Sequence, residues 1–167
     1  MRRAALTLAL GAVLALLASG CGGGGGAATA PSENPGVFIT RILSEELNGQ
    51  WSRQWSELHP GHQKLISRSQ YVTCSRSIGT NIATGREVFH VLAVDDQAIH
   101  VRGVPQRTAK LVTINVRQRG AGGAAGLTYR LHAVAVGGRW AWILGDRFLS
   151  QIARGRCLDG TRLSSST

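Results

Sequence analysis

From Val37 onward the apolar positions fall at helical spacing. Phe38, Ile42, Leu47, Trp51, Trp55 and Leu58 recur mostly three to five residues apart, which draws one stripe down a helical surface. Gly49 interrupts the stripe, so the spacing predicts two helices, Pro35–Asn48 and Gln50–Leu58. Pro60 disfavours helical geometry at His59, and Gly61 frees a turn. A third helix is expected from Pro60 or Gly61 to Cys74, with Leu65, Ile66, Ser69, Val72 and Thr73 on its inner face. After "SRSIGTNIATG" the period changes to two. "REVFHVLAVDD" and "QAIHVRGV" read as strands that reverse at Asp95–Asp96, a turn-prone pair. "RTAKLVTINVRQR" is a further strand, and "LTYRLHAVAV" meets "RWAWIL" across Gly137–Gly138, a strong two-residue hairpin signal. A short helix over Asp146–Arg154 ends the pattern. The expected fold class is α+β, with N-terminal helices packed on a curved, mainly antiparallel sheet of four to five strands. Trp140 and Trp142 share one side of the last strand, while Ala141 and Ile143 take the other. A sheet covered by helices needs large side chains on the covered face, so the tryptophans are expected in the core.

The segment before this pattern is of another kind. Arg2 and Arg3 precede an uncharged apolar run from Ala4 to Ala18, too short to span a bilayer comfortably, where about 20 residues are needed. It reads as an export signal over residues 1–20. Its end, "LLASGC", resembles a bacterial lipobox, whose cysteine, here Cys21, is lipidated through sulfur and becomes the new N-terminus. Ala18 departs from that pattern, since Leu, Val or Ile is usual three residues before the cysteine. The alternative is an ordinary secretory signal cut after an A-x-A-like site. Gly22–Gly26 and "AATAPSENPG" offer nothing apolar to bury and carry high backbone entropy, so residues 21–35 read as a lipidated cysteine and flexible tether. Residues 36–158 form one domain, and 159–167 a loose tail. The resemblance implies a chain anchored to the cell membrane at its extracytoplasmic face.

There are three cysteines, Cys21, Cys74 and Cys157. With Cys21 carrying lipid, Cys74 and Cys157 are left to pair in an oxidising compartment. The competing role, Cys74 as a nucleophile, needs a neighbouring base that the sequence does not display. The formal net charge is +10, and seventeen of the nineteen basic residues are arginine, scattered rather than clustered. No nucleic-acid recognition motif accompanies that charge, so nucleic acid is not an expected partner. An anionic membrane or envelope polymer would attract such a domain in a general way.

"NGQWSRQWSELHPGHQ", "SRSQYVTC", the alternating strands, "VGGRWAWIL" and the final cysteine together resemble bacterial secreted proteins with a nuclear transport factor 2-like fold. That resemblance implies a cone in which a curved sheet wraps the N-terminal helices around a pocket, a scaffold that serves isomerases, dehydratases, ligand binders and interaction modules. Against it, the candidate chemistry is sparse. His59 and His62 form H-x-x-H across a Pro-Gly turn, without the i,i+4 geometry and glutamate of a metalloprotease helix. His90, His100 and His132 lie on expected strands. No metal and no cofactor is expected, and His59 is expected to close the turn. General acid–base catalysis could use Tyr71, Tyr129, His90 or His132, yet none stands in a recognisable motif. No G-x-S-x-G or phosphate loop occurs. What remains is binding without catalysis, of a small apolar ligand or an envelope protein. Trp51, Trp55, Tyr71, His90, His132, Trp140 and Trp142 are the candidate pocket lining. The alternative is a small isomerase or dehydratase using Tyr71 or a strand histidine.

Overall fold

The computed structural model describes residues 30–79, 87–118, 126–158 and 163. The expected signal, Cys21, most of the tether, all but Gly126 of the "AGGAAG" loop and nearly all of the tail lie outside them. Helix α1 runs Pro35–Leu47, with Pro35 in its first turn and the Asn34 side chain accepting from the N–H of Gly36 at 2.8 Å. Phe38, Ile39, Ile42 and Leu43 form its buried face. Each such side chain stabilises the fold by about 1.5–3 kcal/mol on removal from water. Gly49, at φ +68°, ends the helix in a conformation that glycine adopts without strain, and α2 follows at Trp51–Ser56.

The third expected helix is two. Helix α3 is a single turn, Pro60–Gln63, capped by the His59 imidazole, whose Nδ1 accepts from Gly61 N–H at 3.0 Å. Helix α4 begins again at Arg68 and continues past Cys74 to Gly79. The restart is a reciprocal cap. Gln70 N–H donates to Ser67 Oγ at 3.2 Å, and Ser67 N–H donates to Gln70 Oε1 at 2.8 Å. The new start rotates the inner face. Tyr71, Cys74 and Ser75 are buried, while Ser69 and Thr73, expected inside, are exposed.

The sheet is a four-stranded antiparallel meander, β1 Glu87–Ala98, β2 Thr108–Gln118, β3 Leu127–Val136 and β4 Arg139–Ile143, in the order β1-β2-β3-β4. Asp95 and Asp96 are not a turn. They stand within β1 opposite Leu111 and Lys110, and Lys110 Nζ reaches Asp96 at 2.8 Å. Because β1 is an edge strand and largely exposed on both sides, acids cost it little there. The reversal comes later, over residues 99–107, so "QAIHVRGV" supplies no second strand and His100 lies in a loop. Gly137 and Gly138 both take positive φ, as the two-residue hairpin between β3 and β4 requires.

The helices cover one face of the sheet. Val112, Ile114, Ala133 and Trp142 meet Phe38, Ile42, Tyr71, Leu149 and Ile152 there. Trp140 packs on the same cluster, so the tryptophan face of β4 is core. On the opposite face the 99–107 loop folds back, and Ile99, Val104, Ala109, Val134 and Ile143 make a smaller core. That loop touches α3 closely: a Cβ on Gly61 would lie 1.6 Å from the Gly103 carbonyl oxygen. The far edge of β4 is covered by the α2–α3 joint, where His59 N–H donates to Trp142 O and Trp142 N–H to Glu57 O. Cys74 in α4 and Cys157 after helix α5, Asp146–Ala153, form a disulfide. Among the described residues no helix is long and apolar enough to cross a membrane.

Candidate functional site

Strand β4 has five residues against ten in β3, and its last pair is His132 with Ile143. Beyond that pair the edge of β3 has no β4 neighbour, and the chain turns away through Leu144 and Gly145 into α5. A cavity of about 400 Å³ lies here, partly open to solvent, between the β3 edge, α4 and α5. Tyr71, Trp142, Leu144 and Ser75, all buried, make its floor. Ile78, Leu131 and Phe148 stand as half-buried walls, and Arg130, Gly145 and Leu158 are its exposed rim. The volume falls within the range of small-molecule sites, about 300–1,000 Å³.

One buried amide organises the floor. The Tyr71 hydroxyl donates to Gln54 Oε1, and Gln54 Nε2 donates to Ile42 O at 3.2 Å and towards Glu46 Oε2 at 3.4 Å. The Trp142 indole N–H donates to the Gln54 carbonyl at 2.9 Å. Gln54 thus holds Tyr71, Trp142 and Glu46 in fixed relation, and it is itself buried. Glu46 is also a lining residue. Burial raises its carboxyl above the usual range, with the Gln54 contact pulling the other way. Burial likewise pushes the Tyr71 phenol up, so it stays protonated. On the rim, burial and then the neighbouring Arg130 charge lower His132, whose Nε2 lies 2.6 Å from Gln97 Oε1. The floor therefore offers hydrogen-bonding groups, with the Glu46 carboxyl shifted upward by burial, and the walls offer apolar surface. Such a site can hold an apolar molecule and orient one polar group.

Of the residues singled out in the sequence, Tyr71, His132 and Trp142 line this cavity together. Trp51 and Trp55 do not line it. They are half-buried against the main core, and Arg76 lies over the Trp51 ring at 5.7 Å. Trp140 donates to Glu33 O at 2.6 Å and borders a separate hollow of about 140 Å³ with Asp96 and Lys110. His90 is exposed on β1, opposite Asn115. His59 and His62 are both buried and serve as backbone ties, and among the described residues no three metal-ligating side chains converge. Sequence reading passed over Glu46, Gln54, Ser75 and Arg130. Gln54 left a trace: it follows Trp51 by three residues, on the same apolar stripe, where a polar side chain must find partners inside.

The chain matches no protein-family model, no curated protein and no solved structure.

Proposed function

We propose that this chain is a lipid-anchored, extracytoplasmic protein that binds a small, mainly apolar ligand in the cavity between β3, α4 and α5, without transforming it. The cavity is the observation that carries the reading: apolar walls of Ile78, Leu131 and Phe148 surround hydrogen-bonding groups of Tyr71, Ser75 and Glu46. The α+β arrangement, with helices over one face of a meander, is compatible with a nuclear transport factor 2-like cone whose pocket this would be. Lipidation at Cys21 would hold the domain beside a membrane, a reservoir of apolar molecules. The rival isomerase or dehydratase reading has less support. Tyr71 spends its proton on Gln54, His132 is engaged by Gln97, and among the described residues neither has a hydrogen bond to an acid.

Native mass spectrometry of the protein recovered from an oxidising bacterial compartment tests this directly. A small organic mass retained in the folded protein and lost on denaturation is expected. A folded protein that carries none, and takes up none from an extract of its own envelope lipids, would sink the binding reading.

A further inference from the structure

The charge around the cavity is arranged unevenly. Its floor holds one acid, Glu46, kept toward the neutral form by burial, and no cation. Its rim holds Arg130, exposed on β3, with no ion-pair or hydrogen-bond partner among the described residues. Arg41, Arg53 and Lys110 hold carboxylate partners at 2.8–3.2 Å, whereas other described arginines, Arg139 and Arg147 among them, stand without an ion pair as Arg130 does. Its place on the cavity rim is what sets Arg130 apart. His132, two positions along the same strand, has its Nε2 on Gln97 and adds no competing acid. Among the described residues the lining thus runs from polar floor, through apolar wall, to the Arg130 guanidinium at the mouth.

Building on the binding reading above, we infer that the ligand is an anionic amphiphile, its apolar body in the cavity and its carboxylate or phosphate on the Arg130 guanidinium. The orientation follows from the placement of charge. An anion at the floor would be desolvated next to Glu46 without a lining cation to receive it, which is strongly unfavourable. An anion at the mouth keeps partial contact with water and gains the planar donor fork of arginine, which fits both carboxylate and phosphate. A free carboxylic acid and a single-chain lipid phosphate share this chemistry.

The test titrates decanoate, decyl phosphate, decanol and decyltrimethylammonium, each below its micellar concentration, into the purified full chain. The Trp142 indole N–H resonance is followed by NMR, because Trp142 lines the cavity and adhesion elsewhere leaves it unmoved. One or both anions should bind about fivefold tighter than decanol, the exposed-pair scale, with the cation weakest. Arg130→Gln should bring the anion down to the decanol value and leave decanol unchanged. Arg130 is exposed, so the variant should keep the wild-type melting temperature. A decanoate preference identifies a free acid as the source, and a decyl phosphate preference identifies a lipid phosphate. Equal binding of all four probes, or a preference that survives Arg130→Gln, overturns the anionic assignment while the cavity reading stands. If no probe moves the Trp142 signal, the cavity reading fails, and this inference with it.

Discussion

Mild acid should weaken this domain through one histidine. His62 is fully buried, and both ring nitrogens are committed: Nδ1 accepts from Leu144 N–H at 3.2 Å, and Nε2 lies 3.1 Å from Arg102 O. Only the neutral ring with its proton on Nε2 satisfies both partners. A second proton would place N–H against N–H at Leu144. Burial, and then the nearby His59, lower the His62 pKa to about 4, although the Arg102 carbonyl and Asp146 oppose the shift. In the unfolded chain the group titrates near 6.5. Between these values the unfolded state binds more protons, so stability is fully present above about pH 6.5 and declines as pH falls towards 4. At about 1.36 kcal/mol per pKa unit, the full loss is about 3 kcal/mol, of which about 2 kcal/mol is gone by pH 5. His59 and His132, also lowered chiefly by burial, act in the same direction, whereas the raised Glu45 and Glu46 carboxyls oppose them. The assay is equilibrium urea unfolding at pH 7 and pH 5 for the wild type and His62→Asn, whose amide oxygen keeps an acceptor for Leu144. Wild type should lose about 2 kcal/mol across that interval, and the variant much less. An unchanged wild-type midpoint, or a variant that loses just as much, refutes the argument.

Three other predictions concern single positions or pairs. Cys74→Ser with Cys157→Ser opens a loop of sequence separation 83 and should cost about 4.5 kcal/mol on the loop-entropy account, read as a lower melting temperature that reductant no longer changes. Gly61→Ala places a methyl group against the Gly103 carbonyl, and should destabilise by about 3 kcal/mol or more, whereas Gly145→Ala, with open space around it, should be mild in the same melts. If Cys21 is acylated, an alkyne fatty acid fed to the expressing bacterium should label the wild type and not Cys21→Ser, and the wild type should fractionate with membrane.

Much of the architecture is written in local pattern. The apolar stripe from Phe38 to Leu58, the Gly137–Gly138 hairpin and the alternation that puts Trp140 and Trp142 inside depend on spacing and turn chemistry alone, and all stand in the structure. The departures have tertiary causes or weaker local signals. Asp95–Asp96 is turn-prone in isolation, but an exposed edge strand with Lys110 opposite accepts both acids. The break before α4 was readable in principle, since Ser67 and Gln70 have capping-box spacing, yet the surrounding helical pattern hides it. The cavity was least legible. It exists because β4 stops at Ile143 while β3 runs on, a mismatch of lengths that no single segment displays. Tyr71 and Trp142 reach it from separate elements through Gln54, whose role depends on what folds around it.

The disulfide has a mechanical consequence. Every strand of the sheet, and α5 with it, lies between Cys74 and Cys157 along the chain. Tension between the two chain ends would cross from Cys74 to Cys157 through the sulfurs and bypass the segment between them. About 280 Å of contour, at roughly 3.4 Å per residue over a separation of 83, is thereby withheld from extension. Pulling could peel α1, α2 and the α3 joint away while the meander keeps its hydrogen bonds. If the chain is anchored through Cys21 as proposed, a pull along it would strip α1, α2 and the α3 joint first and leave α5 on the sheet.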